Sequence, residues 1–158
     1  MEMVEVRLDT LLVDDNAIDA MFFARAVKKS GLNLAVQLLT TGQQAIEYLE
    51  AKGQFADRSR YPLPDLIVLD LKMPQVNGFE FLAWRRASGF FSAIPVIVFS
   101  GSGDPEEVSR VFELGAEKHI IKPAAWEDWE KVVREIWDFS MEQATFWRVG
   151  EAKQRAGS

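Results

Sequence analysis

Asp70 closes the apolar run Leu66-Ile67-Val68-Leu69, and Met73-Pro74 and Gly78 follow directly. A short, wholly apolar run bounded by turn residues reads as a strand of a sheet covered on both faces, so the carboxylate stands at a strand's carboxyl end. Three other positions repeat that placement: Asp14-Asp15 after Leu11-Leu12-Val13, Ser100 after Val96-Ile97-Val98-Phe99, and Lys122-Pro123 after Ile120-Ile121. An acid pair, a lone acid, a hydroxyl and an ammonium then converge on one edge of a parallel sheet. That set suits an acyl phosphate built on Asp70 with a divalent cation beside it. Phosphoryl transfer asks a protein mainly for a nucleophile, charge neutralisation and positioning. Singly, each residue has a plain structural alternative. Asp14-Asp15 would cap the helix starting near Ala17, Asp70 would serve a turn, Ser100 a turn or a cap, and Lys122 would be a solvated lysine. Four separate strand ends that all carry a suitable group make the joint coincidence improbable.

The elements that must position these groups alternate between strand-like and helix-like stretches. Strands are predicted over Leu8 to Val13, Leu34 to Leu39, Leu66 to Leu69, Val96 to Phe99 and Lys118 to Ile121. A helix is expected over Ala17 to Ser30, with Asn16 as its N-cap, Gly31 as its stop, and Ile18, Met21, Phe22, Arg25, Ala26 and Lys29 near helical spacing. Further helices are expected over Gly42 to Ala51, Gly78 to Ala87, Pro105 to Leu114 (proline in the first turn) and Trp126 to about Trp147. Five strand–helix pairs imply a doubly wound five-stranded parallel α/β sheet with helices on both faces. Ligands of such sheets lie beyond the strand carboxyl ends, at the switch in strand order. Lys52 to Pro64 is a long connection, of a length uncommon without a role of its own.

Composition narrows the function. The chain has 158 residues, 48% of them apolar, which suffices for one domain with a full core. A single domain is expected over 1–147, including an extended last helix, with 148–158 as a polar, flexible tail. No apolar run approaches bilayer length, and the acidic start Met1-Glu2-Met3-Val4-Glu5 is no secretory signal. There is no cysteine and one histidine, His119, so disulfides, thiolate metal sites and multi-histidine zinc are excluded. A net charge of −6 without a basic block argues against nucleic acid as partner. A cytoplasmic location is expected.

With Asp14-Asp15, Asp70, Met73-Pro74, Gly78, Ser100-Gly101, Gly115-Ala116 and Lys122-Pro123 in this order, the chain resembles the receiver domain of bacterial two-component response regulators over roughly Leu8 to Phe139. The long loop before Pro64-Asp65-Leu66 and the phrase Leu69-Asp70-Leu71-Lys72-Met73-Pro74 are similar to stand-alone receivers related to phytochrome-associated response regulators. The resemblance implies a flavodoxin-like strand order 2-1-3-4-5. It implies that Asp70 accepts a phosphoryl group from a sensor histidine kinase, here of phytochrome type, in a Mg²⁺-dependent reaction. Asp15, Asp70 and the Lys72 backbone carbonyl would bind Mg²⁺ directly, and Asp14 mainly through water, since magnesium takes oxygen ligands and keeps several waters. Lys122 would pair with Asp70 at rest and with a phosphoryl oxygen afterwards. Ser100 would swing its hydroxyl to the phosphoryl group, which is the conformational switch. The family commonly has the Lys122–Pro123 bond cis.

Where the family most often has Tyr or Phe, this chain has His119, either a switch residue or a surface histidine of an edge strand. Lys72 and Ser102 would flank the phosphoryl group and tune its hydrolysis. In the last helix, Trp129, Val133, Ile136 and Ser140 form a core stripe, while Val132, Phe139 and Phe146 recur every seven residues as a candidate dimer seam. Those side chains could equally cover the fourth helix or fold back against the tail. Receivers commonly pair through the surface of the fourth helix, fifth strand and fifth helix, so the resemblance implies a homodimer there, with a histidine phosphotransfer protein as a further implied partner. The expected role is signalling, not enzymatic turnover. Three rivals compete. A degenerate receiver that only binds partners conflicts with the complete residue set. A haloacid-dehalogenase-like phosphatase would carry a second Asp where Lys72 stands. A flavodoxin-like electron carrier would suffer repulsion between Asp14-Asp15 and flavin phosphate.

Overall fold

The computed structural model describes residues 6–143. Its elements are β1 (Leu8–Val13), α1 (Ala17–Ser30), β2 (Leu34–Leu39), α2 (Gly42–Leu49), β3 (Leu66–Leu69), α3 (Gly78–Ser88), β4 (Val96–Ser100), α4 (Pro105–Glu113), β5 (Lys118–Ile121) and α5 (Trp129–Glu142), with short 3-10 turns at Gly53–Phe55, Phe91–Ala93 and Trp126–Asp128. The five strands form one parallel sheet in the order β2-β1-β3-β4-β5. This is the expected flavodoxin-like order, and the switch in direction falls between β1 and β3.

Strand side chains alternate between faces, and the two halves of the core follow that alternation. Leu11, Val13, Ile67, Leu69, Val96 and Val98 pack beneath α2, α3 and α4. Leu8, Leu12, Leu66, Val68, Ile97 and Phe99 pack against α1 and α5. Both faces are thus covered, which is why the central strands contain no polar alternation.

Helix ends have local causes. The Asn16 side chain accepts from Ile18 and Asp19 N–H, and Gly31 ends α1 with φ of 72°. α2 stops at Leu49, short of the expected Ala51, because Ala51 turns left-handed (φ 54°) and Arg58 donates to the carbonyls of Tyr48 and Leu49. The connection from Lys52 to Pro64 is thereby tied down. Phe55 and Leu63 are buried, and the rings of Tyr48, Phe55 and Tyr61 form one cluster.

Two helical expectations need correction. The stripe that α1 buries is Ala20, Phe23 and Ala26, while Ile18 and Met21 are exposed at 61% and 48%. Spacing alone permits either stripe; the Phe23 ring packs on Phe99 of β4, 6.2 Å between centroids, and Ala20 and Ala26 face inward with it. The last helix does not begin at Trp126: a 3-10 turn precedes α5, which ends at Glu142. The expected core stripe Trp129, Val133, Ile136 and Ser140 is buried, but Val132 is buried with it. Phe139 packs on the same core with Lys118 Nζ 5.5 Å above its ring. The proposed seam therefore loses Val132 to the interior, and Phe146 lies outside the described residues, as do 144–147 of the expected helix and the 148–158 tail.

Among the described residues, Arg85 is the one buried cationic side chain, 2% exposed. Its guanidinium donates to the carbonyls of Ile94, Ser92 and Gly115 and to Glu117. It ties α3, the turn before β4 and the turn before β5 into one unit.

Candidate functional site at the strand carboxyl ends

The sheet's hydrogen bonding continues just past the strands and sets the site. Val13 lies opposite Leu69, and Asp70 N–H donates to Val13 O at 2.9 Å. Asp14 N–H donates to Leu39 O at 2.9 Å, and Lys122 N–H donates to Ser100 O at 2.7 Å. Asp14 and Asp70 are buried, Asp15 is exposed, and one oxygen from each of these three carboxylates lies within 4.8 Å of the others. The plain capping alternative for Asp14-Asp15 does not apply, because Asn16 caps α1; Asp14 instead accepts from Asn16 N–H at 2.9 Å. Ser100 does not cap α4 either, since Asp104 does.

Lys122 reaches in from the end of β5. Its Nζ lies 2.8 Å from Asp19, 2.9 Å from Asp14 and 3.4 Å from Asp70. The expected Lys122–Asp70 pair is therefore present but is the longest of three. Asp19 was not singled out from the sequence. Its signal is its place in the first turn of α1, four residues after Asp15. Burial disfavours the Lys122 charge, but hydrogen bonds with Asp19 and Asp14 and the field of Asp14 and Asp70 outweigh it, so the ammonium titrates above its ordinary range. Burial pushes the Asp70 carboxyl up to about 6; Lys122 opposes this, Asp14 adds to it, and the Leu71 N–H, 2.8 Å from Oδ1, again opposes it.

The Ser100 hydroxyl donates to Ser102 O at 3.3 Å and lies 3.3 Å from His119 Nε2. His119 is thus joined to the site through Ser100. Burial lowers its pKa, against the opposing effects of a Ser102 hydrogen bond and the Glu107 charge. A cleft of about 340 Å³ opens beside Asp70, with Asp19, Lys72, Ser100, Glu107 and Lys122 in its walls. The described residues contain no cis peptide bond, so the Lys122–Pro123 bond is trans, contrary to expectation.

The loop from Leu71 to Asn77 carries Lys72 and is held from below. Gln75 and Val76 both have positive φ, 47° and 72°, which is costly for a β-branched residue. Their carbonyls accept from Gln43 and Gly42 N–H, two free donors at the start of α2. Position 42 must be glycine for this contact, since a Cβ there would lie 2.1 Å from Val76 O. At position 78 a Cβ would lie 2.5 Å from Asp70 O.

Comparison with known proteins agrees with this geometry. Residues 10–134 match the family model for the response regulator receiver domain. The chain belongs to the response regulator receiver family. It is 33% identical over 129 residues to the probable methanogenesis regulatory protein FilR2 of Methanothrix harundinacea, covering 82% of this chain and 81% of that one. It is 30% identical over 135 residues to response regulator Rcp1 of Synechocystis sp., covering 85% and 90%. The crystal structure of the phosphorylated cyanobacterial phytochrome response regulator RcpA superposes with a TM-score of 0.79 at 29% identity, covering 88% and 97%. The Mn²⁺-bound form of Rcp1 gives 0.75 at 28%, covering 87% and 96%. This receiver is therefore similar to phytochrome response regulators, as the long loop and the phrase around Asp70 led us to expect. Among the described residues, no helix is long and apolar enough to cross a membrane.

Proposed function

We propose that this receiver accepts a phosphoryl group on Asp70 from a partner histidine kinase and signals by the conformational change that follows. The observation that carries the proposal is the close carboxylate trio with Lys122 Nζ 3.4 Å from Asp70. In the transfer, an Asp70 oxygen forms a bond to phosphorus as the donor's phosphorus–nitrogen bond breaks, and the donor imidazole leaves with the bonding pair. The Leu71 N–H orients the Asp70 carboxylate, and Lys122 supplies positive charge to the arriving phosphoryl oxygens. Ser100 gives up its contacts with Ser102 and His119 to hydrogen-bond the phosphoryl group, which releases His119 and the loop ahead of α4.

The donor set fits Mg²⁺: hard carboxylate oxygens from Asp15, Asp70 and Asp14, completed by the Lys72 carbonyl and water. When bound, the cation neutralises charge on carboxylates and phosphoryl oxygens. A divalent site is supported by the relative named as Mn²⁺-bound, and a phosphorylated form by RcpA. Those relatives also support a phytochrome-type kinase as donor. We place the protein in the cytoplasm, with a histidine phosphotransfer protein as a second exchange partner and α4, β5 and α5 as a homodimer face; sedimentation showing only monomer, with and without a phosphoryl mimic, would reject the dimer.

The assay is incorporation of label from acetyl phosphate with Mg²⁺. Wild type should be labelled and Asp70→Asn should not. Undiminished labelling of Asp70→Asn would overturn the assignment.

A further inference from the structure

Asp19 is the acid to which phosphoryl transfer assigns no task. Its place in the first turn of α1 has an ordinary benefit, because an acid there favours the helix dipole. That benefit does not require the side chain to cross to the end of β5. Yet Asp19 Oδ2 accepts from Lys122 Nζ at 2.8 Å, from a residue 103 positions away, in a contact shorter than the 2.9 Å to Asp14 and the 3.4 Å to Asp70. A lysine ammonium has three donors and one charge, and in the resting site three carboxylates share them.

A phosphoryl group arriving at Asp70 needs one of those donors. Asp14 is fixed: its side chain is 2% exposed and it also accepts from Asn16 N–H. Asp19 stands at the wall of the cleft with its side chain 22% exposed, so water can take the place of the ammonium there. We propose that Asp19 is a positioning residue that draws the Lys122 ammonium toward α1, in competition with the phosphoryl oxygens, and so limits how tightly the site holds a phosphoryl group. The inference rests on Asp70 being the phosphoacceptor.

The same carboxylate adds negative charge beside the trio. Removing its charge therefore moves two affinities in opposite directions: an anion at Asp70 binds more tightly and a cation binds more weakly. Damage to the fold would weaken both. The test is equilibrium titration of the full chain with beryllofluoride, a tetrahedral phosphoryl mimic, at saturating Mg²⁺, and separately with Mg²⁺ alone. Asp19→Asn should bind beryllofluoride about threefold to tenfold more tightly and Mg²⁺ about twofold or more weakly, the scale of one partly screened charge at this range. Asp19→Glu, which restores the charge, should return both values toward wild type. Unchanged beryllofluoride affinity in Asp19→Asn, or both affinities falling together, would overturn the inference. Asp70→Asn separates the two levels of the argument. If wild type binds the mimic, Asp70→Asn does not, and Asp19→Asn equals wild type, only the role of Asp19 fails. If Asp70→Asn binds as wild type does, the phosphoacceptor reading fails and the inference falls with it.

Discussion

Replacing Asp70 by Asn should stabilise the fold while abolishing its chemistry. The Asp70 carboxyl is pushed up to about 6 from an ordinary 3.8, chiefly by burial, with Asp14 adding repulsion and Lys122 opposing. Between those two values the folded chain holds a proton that the unfolded chain has lost. Stability therefore falls as pH rises from about 4 through about 6 and stays low above that. The gap of about two pH units corresponds to an upper bound of about 3 kcal/mol. The cleft opens to solvent, which screens the charge, and Asn forfeits the attraction of Lys122, so the expected gain near neutral pH is about 1–2 kcal/mol. Urea denaturation without Mg²⁺ should show Asp70→Asn and wild type nearly equal at about pH 4, with the variant's midpoint higher by about 0.5–1 M at about pH 7. Saturating Mg²⁺ should close the gap by stabilising wild type, since a ligand that binds only the native state adds stability by mass action. A difference independent of pH, or a variant less stable than wild type near neutrality, would refute the claim that burial of an ionised Asp70 is a cost.

The same proton competes with the cation, so Mg²⁺ affinity measured by calorimetry should decline as pH falls through about 6, by up to tenfold per unit; a flat profile between about pH 5 and 7 would exclude Asp70 as a ligand. Gly42→Ala should cost about 2 kcal/mol or more in thermal or urea denaturation and slow labelling, because its Cβ meets Val76 O and displaces the loop that carries Lys72; wild-type labelling in a folded variant would show the latch to be irrelevant. Arg85→Ala should cost about 3–5 kcal/mol in urea denaturation, since it leaves buried carbonyls without a donor and takes the cation from Glu117, and a loss under about 1 kcal/mol would show that water replaces the guanidinium.

What the sequence made legible was whatever the backbone ladder dictates. Asp14, Asp70, Ser100 and Lys122 each follow or end an apolar run, and parallel pairing of those runs brings their carboxyl ends to one edge before any side chain is considered. The order of the strands was legible through the same motif residues. Side-chain reach was not. Asp19 lies on a helix whose spacing suggests nothing about β5, and its contact depends on how α1 crosses the sheet. The stripe that α1 buries was not legible for a related reason: helical spacing fits more than one face, and only the packing of Phe23 against Phe99 shows that Ala20 and Ala26 face inward while Ile18 and Met21 stay exposed. Arg85 escaped notice because an arginine in a helical pattern is read as solvated, whereas here the turns before β4 and β5 supply three carbonyls, and Glu117 a carboxylate, that only a fork of N–H donors satisfies together. The two levels meet in Lys122. Its position in the chain announced an ammonium at the site, but only the crossing of α1 shows that this ammonium is shared three ways. If the Asp19 proposal holds, this site's resting affinity for a phosphoryl group depends on a helix that contributes nothing to the carboxylate trio itself.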